Sequence, residues 1–140
     1  MNEICGKTIM GLSVSEDEHY LVFHYADGTF DAYEVDGDCC SESWFADIVG
    51  VSALIGGKVL EVAEVDMPQE DKPDNRCRQE YDSFYGVKIR TDKGYADIVY
   101  RNSSNSYYGG SVFHHSKLPE RDTYTGNKLV WKGITDDWQA

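Results

Sequence analysis

Two stretches of this chain hold residue types that recognise small anionic or aromatic ligands. Arg101-Asn-Ser-Ser-Asn-Ser-Tyr-Tyr-Gly-Gly110 sets a guanidinium, a run of amides and hydroxyls, paired rings and paired glycines in succession. Arg101 offers a planar fork for phosphate or carboxylate. Asn102 and Asn105 add hydrogen-bonding edges, Tyr107 and Tyr108 add faces for a base, and the glycines permit close backbone approach. Upstream, Gly37-Asp-Cys-Cys-Ser-Glu-Ser-Trp-Phe45 follows an aromatic run. Ser41 and Ser43 are expected there at a helix start, where unpaired N–H groups hold an anion. These seven residues form the expected ligand site, and their chemistry suits a nucleotide.

Other chemistries fit the same stretches less well. The cysteines Cys5, Cys39, Cys40 and Cys77 include no Cys-x-x-Cys pair, and a zinc set of Cys39, Cys77 and His114 or His115 lacks the usual spacing. A nucleophilic Cys39 or Cys40 with His24, His114 or His115 as base sits among Asp36, Asp38 and Glu42, whose charges raise a thiol pKa. Asp36-x-Asp38-x-x-x-Glu42 departs from the calcium-binding EF-hand loop in spacing and flanks. Some carboxylate pair is inevitable among 25 acidic residues. The expectation is therefore no catalytic residue, no metal and no cofactor, with a small metal-dependent or cysteine enzyme as the third reading.

The elements that must position these groups follow from pattern. Tyr20-Leu-Val-Phe-His-Tyr25 and Thr29-Phe-Asp-Ala-Tyr-Glu-Val35 flank Asp27-Gly28, a strong hairpin signal. A second hairpin is expected from Tyr85–Thr91 and Tyr95–Tyr100 around Asp92-Lys-Gly94. Lys58–Val65 reads as a strand, and Ser111–His115 and Lys128–Thr135 as closing strands. Gly11 is expected to mark a bulge. Trp44, Phe45, Ile48 and Val49 recur at i, i+1, i+4, i+5, which predicts a short helix over about 42–49, with Trp44 buried against the sheet. Pro68, Pro73 and mixed charge predict a long polar loop at about 66–82. The fold class expected is α+β, a mostly antiparallel sheet with one short helix on it, in a single domain spanning 1–140.

The formal charge is −12, which opposes direct binding to nucleic acid or anionic lipid. No apolar run reaches the length of a membrane helix, and the start lacks the pattern of a signal peptide, so a soluble cytoplasmic protein is expected.

Gly37–Phe45 and Arg101–Gly110, with Tyr85-Gly-Val87 between them, resemble a family of small phage-encoded proteins of unknown function. The resemblance spans about Leu21 to Gly110 and implies an accessory protein acting in a bacterial host cell. It implies no catalytic residues. By analogy with other phage accessory proteins, the leading expectation is a non-enzymatic sponge that sequesters a nucleotide second messenger, as in evasion of cyclic-nucleotide defence. The alternative is an anti-CRISPR-like inhibitor that binds a host defence protein through an acidic surface imitating nucleic acid. Ligand identity, homo-oligomerisation and whether the two motifs meet stay open at this stage.

Overall fold

The computed structural model describes residues 1–37, 41–66, 81–104, 110–123 and 125–140. After a 3-10 turn at Asn2–Ile4, the chain runs through β1 (Ile9–Ser15), β2 (Tyr20–Tyr25), β3 (Phe30–Gly37) and β4 (Ser41–Val49). A one-turn helix α1 (Val51–Leu54) precedes β5 (Val59–Asp66), β6 (Tyr81–Thr91), β7 (Gly94–Ser104) and β8 (Gly110–His115). Short strands β9 (Trp131–Ile134) and β10 (Trp138–Gln139) follow. These form two five-stranded antiparallel sheets, ordered β8-β3-β2-β1-β9 and β10-β4-β7-β6-β5.

Both hairpins form as expected. Gly28 supplies the positive φ of the first turn, and the register slips between Ile9 and Gly11 where a bulge was expected. Side chains alternate, so each strand turns one row inward. Leu12, Leu21, Phe23 and Tyr33 of the first sheet meet Phe45, Ile48, Ile89 and Ile98 of the second in one buried core. At the edge of the core, the Thr8–Lys58 bridge ties the two sheets together.

The architecture is a β-sandwich, which corrects the α+β expectation. The segment expected as a helix over 42–49 is strand β4, paired with β7 from Ser41–Ser104 to Val49–Asp97. Its pairing register shifts between Phe45 and Asp47. The extra residue of a bulge lets Phe45 and Ile48 both enter the core, while Trp44 is buried on the opposite face. A bulged strand buried on both sides thus produces the helix-like spacing. The helix itself begins after Gly50, whose φ of 84° and closeness to the Tyr95 carbonyl exclude a side chain. Ser41 and Ser43 are accordingly strand residues and cap no helix.

Two loop boundaries also change. Asp66, Tyr81 and Asp82 of the expected 66–82 loop belong to β5 and β6, and its remainder lies outside the described residues. Arg101–Ser104 extend strand β7. Lys128–Val130 and Thr135 fall outside β9, and Thr123 of the preceding stretch hydrogen-bonds to the Tyr20 hydroxyl of the first sheet.

Candidate ligand site at the loop end of the sandwich

The two sequence motifs meet. Ser41 pairs with Ser104 and Ser43 with Asn102 across β4 and β7, while Gly37 pairs with Gly110 across β3 and β8. Tyr81 of β6 lies on the other side of Ser104. The strand ends joined by 38–40, 67–80 and 105–109 therefore belong to one end of the molecule. Asn105, Tyr107 and Tyr108, together with Cys39, Cys40 and Cys77, lie outside the described residues; Ser41 is placed by its backbone.

Strand alternation divides the remaining motif residues. Ile98 and Tyr100 face the core, so Asn102 shares the inner row and Arg101 the outer one. The Arg101 guanidinium lies 5.1 Å from the Trp44 ring centre and 4.4 Å from that of Phe84, its cross-strand neighbours on either side. It is only 3% exposed. This is a cation–π stack that clamps β4, β7 and β6 together. On the inner row, Asn102 Nδ2 donates to Ser43 Oγ at 2.8 Å, and both residues are buried.

Toward the loop end, the inner face of this sheet changes character. Ile48, Ile89 and Ile98 give way to Phe45, Tyr85 and Tyr100, and then to Ser43 and Asn102. Tyr85 and Tyr100 stack with centres 5.0 Å apart and planes within 13°. Beside them opens a cleft of about 270 Å³ lined by Glu64, Val65, Tyr85, Gly86 and Tyr100. Burial, reinforced by the Glu64 carboxylate and by Tyr85, pushes the Tyr100 hydroxyl up to about 12. Sequence reasoning had not joined these residues into a site. The signal was present in the hairpin: pairing Thr91 with Gly94 at the turn forces Tyr85 opposite Tyr100.

Residues 2–114 match the domain of unknown function DUF7448. The chain belongs to this family. It is also 37% identical over 91 residues to uncharacterized protein L278 of Acanthamoeba polyphaga mimivirus, covering 61% of this chain and 68% of that protein. No solved structure matches it. The DUF7448 segment takes in β1 to β7 and most of β8, and so includes every strand that forms the loop end.

The other polar clusters are internally bonded. Asp31 accepts from Lys7 Nζ at 2.7 Å, the Tyr25 hydroxyl at 2.5 Å and His114 Nε2 at 2.7 Å. Burial would raise its pKa, but these three donors and the Lys7 charge bring it below the ordinary value. Glu34 binds the Tyr20 hydroxyl and His115 Nε2 on the opposite face of the same sheet. Both histidines of the considered zinc set are thus engaged with carboxylates. Asp17, His19 and Asp122 bring metal-type ligand atoms within 4.8 Å of one another. His19 Nδ1 lies 3.1 Å from Asp122 and 3.6 Å from Asp17, an arrangement that an imidazole–carboxylate hydrogen bond accounts for. Ser13 Oγ lies 3.2 Å from His24 Nε2, but among the described residues no carboxylate orients that imidazole. Among the described residues, no helix is long and apolar enough to cross a membrane.

Proposed function

We propose that this DUF7448 protein is a non-enzymatic, virus- or phage-encoded accessory protein that sequesters a nucleotide second messenger at the loop end of its sandwich, in the cytoplasm of the host. The observation that carries this reading is the hydrogen-bonded pairing of the two motif strands where the inner face turns from aliphatic to aromatic to polar. Such a gradient sets an aromatic wall beside hydrogen-bonding groups at one end of the sheet, the mixture of surfaces that small-ligand sites use. Asn105, Tyr107 and Tyr108 stand in the sequence between β7 and β8, and their residue types suit a base and its edges. Arg101 serves this site from behind, as the clamp on its strands. The viral source of one relative supports the virus-encoded part of this reading.

The test is a thermal-shift and calorimetric screen of cyclic mono-, di- and oligonucleotides. A ligand at a hundredfold excess over its Kd should stabilise the fold by about 2.7 kcal/mol. A panel that neither binds nor stabilises would overturn the proposal. A second reading, an inhibitor of a basic partner protein, rests on the charge of −12. Inhibition of a host defence protein that fades steeply with salt and with neutralised surface carboxylates would favour it.

A further inference from the structure

We propose that the cleft beside Glu64, Tyr85 and Tyr100 is a base pocket that selects guanine. This rests on the loop end being a nucleotide site, and it adds which base that site accepts.

Glu64 is unusual in its placement. Val62 on the same strand packs against the core, and Glu64 pairs with Val87, a core residue. Glu64 therefore belongs to the inward-facing row, yet it is exposed because the cleft opens there. Among the described residues, no hydrogen bond or ion pair engages its carboxylate. An inward charge on an edge strand can serve to discourage edge-to-edge pairing. That explanation asks only for a charge. It does not account for a stacked tyrosine pair and a recess beside the charge.

The shape and chemistry together specify the occupant. At about 270 Å³ the cleft falls just under the roughly 300–1,000 Å³ range of small-molecule sites. That size suits one base, with the rest of the ligand outside. Gly86 contributes no side chain to the lining, Val65 adds apolar surface, and the tyrosine pair provides an aromatic wall. An ionised carboxylate only accepts hydrogen bonds, through two oxygens side by side. Guanine presents two adjacent donors, N1–H and the N2 amine, which match that pair. Adenine and cytosine set one amine beside a ring acceptor, and uracil flanks its single N–H with two carbonyls. Each of these would place an acceptor against the carboxylate. The Tyr100 hydroxyl keeps its proton up to about 12 and remains a donor beside the site.

The experiment is calorimetry of the full chain with GMP, IMP, AMP, CMP, UMP, cyclic di-GMP and cyclic di-AMP. IMP differs from GMP only in lacking the N2 amine, so this comparison needs no variant. Guanine ligands should bind at least about tenfold tighter than their inosine or adenine counterparts. Glu64→Gln and Glu64→Lys should each remove that preference with the melting temperature unchanged, although Glu64→Lys keeps a charge on the edge. Nucleotide binding without a guanine preference, or a preference that survives Glu64→Gln, would overturn the base assignment and leave the proposed function standing. No binding of any of these nucleotides would overturn both.

Discussion

At its loop end, the second sheet carries a charge among aromatic rings on each face, and the two faces treat it differently. Outside, Arg101 lies between Trp44 and Phe84 and is almost wholly buried. Inside, Glu64 stands exposed beside the Tyr85–Tyr100 stack at an open cleft. Both arrangements are built from neighbouring residues of the same strands: Arg101 follows Tyr100, and Tyr85 follows Phe84. A sequence motif that reads as one constellation is therefore split by strand parity into a clamp and a recess. Burial of a charge against rings serves cohesion, whereas an accessible charge beside rings retains its capacity for a ligand.

The strongest way to break this division is at Trp44. If the outer face is the clamp, Trp44→Ala should cost about 3–5 kcal/mol, measured by urea unfolding. It removes a fully buried ring and also one side of the Arg101 stack. A variant as stable as the parent would show that the outer face holds little together. Arg101→Ala should follow with a smaller loss of about 2 kcal/mol, as expected for a desolvated cation–π contact. Arg101→Lys should not restore it, because an ammonium cannot stack as a planar guanidinium does. The expectation from sequence alone was a direct phosphate contact. A loss of ligand affinity in Arg101→Lys with stability fully retained would return Arg101 to the ligand and erase the contrast between the faces.

The sequence made the hairpins readable because short Asp-Gly and Asp-Lys-Gly turns separate runs of alternating residues, and a tight turn fixes the register along both strands. In the structure the turn of the second hairpin closes one residue tighter, with Thr91 opposite Gly94, and this register sets Tyr85 opposite Tyr100 and Phe84 opposite Arg101. What could not be read locally was β4. Its bulge offsets the alternation, and Trp44 and Phe45 are buried on opposite faces, so the period of two was masked as a helical one. The face of Arg101 was hidden for a related reason. Parity fixes which residues share a row, but only the packing of the two sheets shows which row meets the core. Ser43 and Asn102, expected as site residues, come together at hydrogen-bond distance. Glu64 was legible as an alternating strand position, and its cleft required the neighbouring strand.

A satisfied acid on the other sheet provides a standard for Glu64. Hydrogen bonds from Lys7, Tyr25 and His114 outweigh the effect of burial and hold the Asp31 pKa below its ordinary value. A group depressed in the folded state contributes stability above its unfolded pKa, about 3.9 for Asp, and loses it as pH falls through the folded value. Stability should therefore decline on acidification below about pH 4. Asp31→Asn should flatten part of that decline in acid unfolding curves. Part of the slope should remain, because hydrogen bonds from Thr125 and His19 likewise overcome burial to depress Asp122. An acid limb as steep in Asp31→Asn as in the parent would show that these bonds add nothing to the fold. Glu64 has no such hydrogen bonds among the described residues, which leaves its carboxylate open at the cleft.

The smallest effect tests whether Glu64 faces the tyrosine stack. Burial first, then the Glu64 carboxylate and Tyr85, push the Tyr100 hydroxyl up to about 12. An unfolded tyrosine ionises near about pH 10. The raised group thus contributes stability in full below about pH 10 and loses it as pH rises through the folded value, because the unfolded chain sheds its proton first. Tyr100→Phe should remove that share of the alkaline decline and change neutral-pH stability little. Glu64→Gln removes one charge but not the burial, so it should shift the Tyr100 titration only part of the way down, read as tyrosinate absorbance. Tyr25 and Tyr33 provide a reference on the first sheet: both are raised chiefly by burial and by their own carboxylate partners, Asp31 and Glu3. Their titration should not respond to Glu64→Gln. An alkaline titration identical in parent and variant would mean that Glu64 does not act on Tyr100, and the recess would lose the charge that distinguishes it from the clamp.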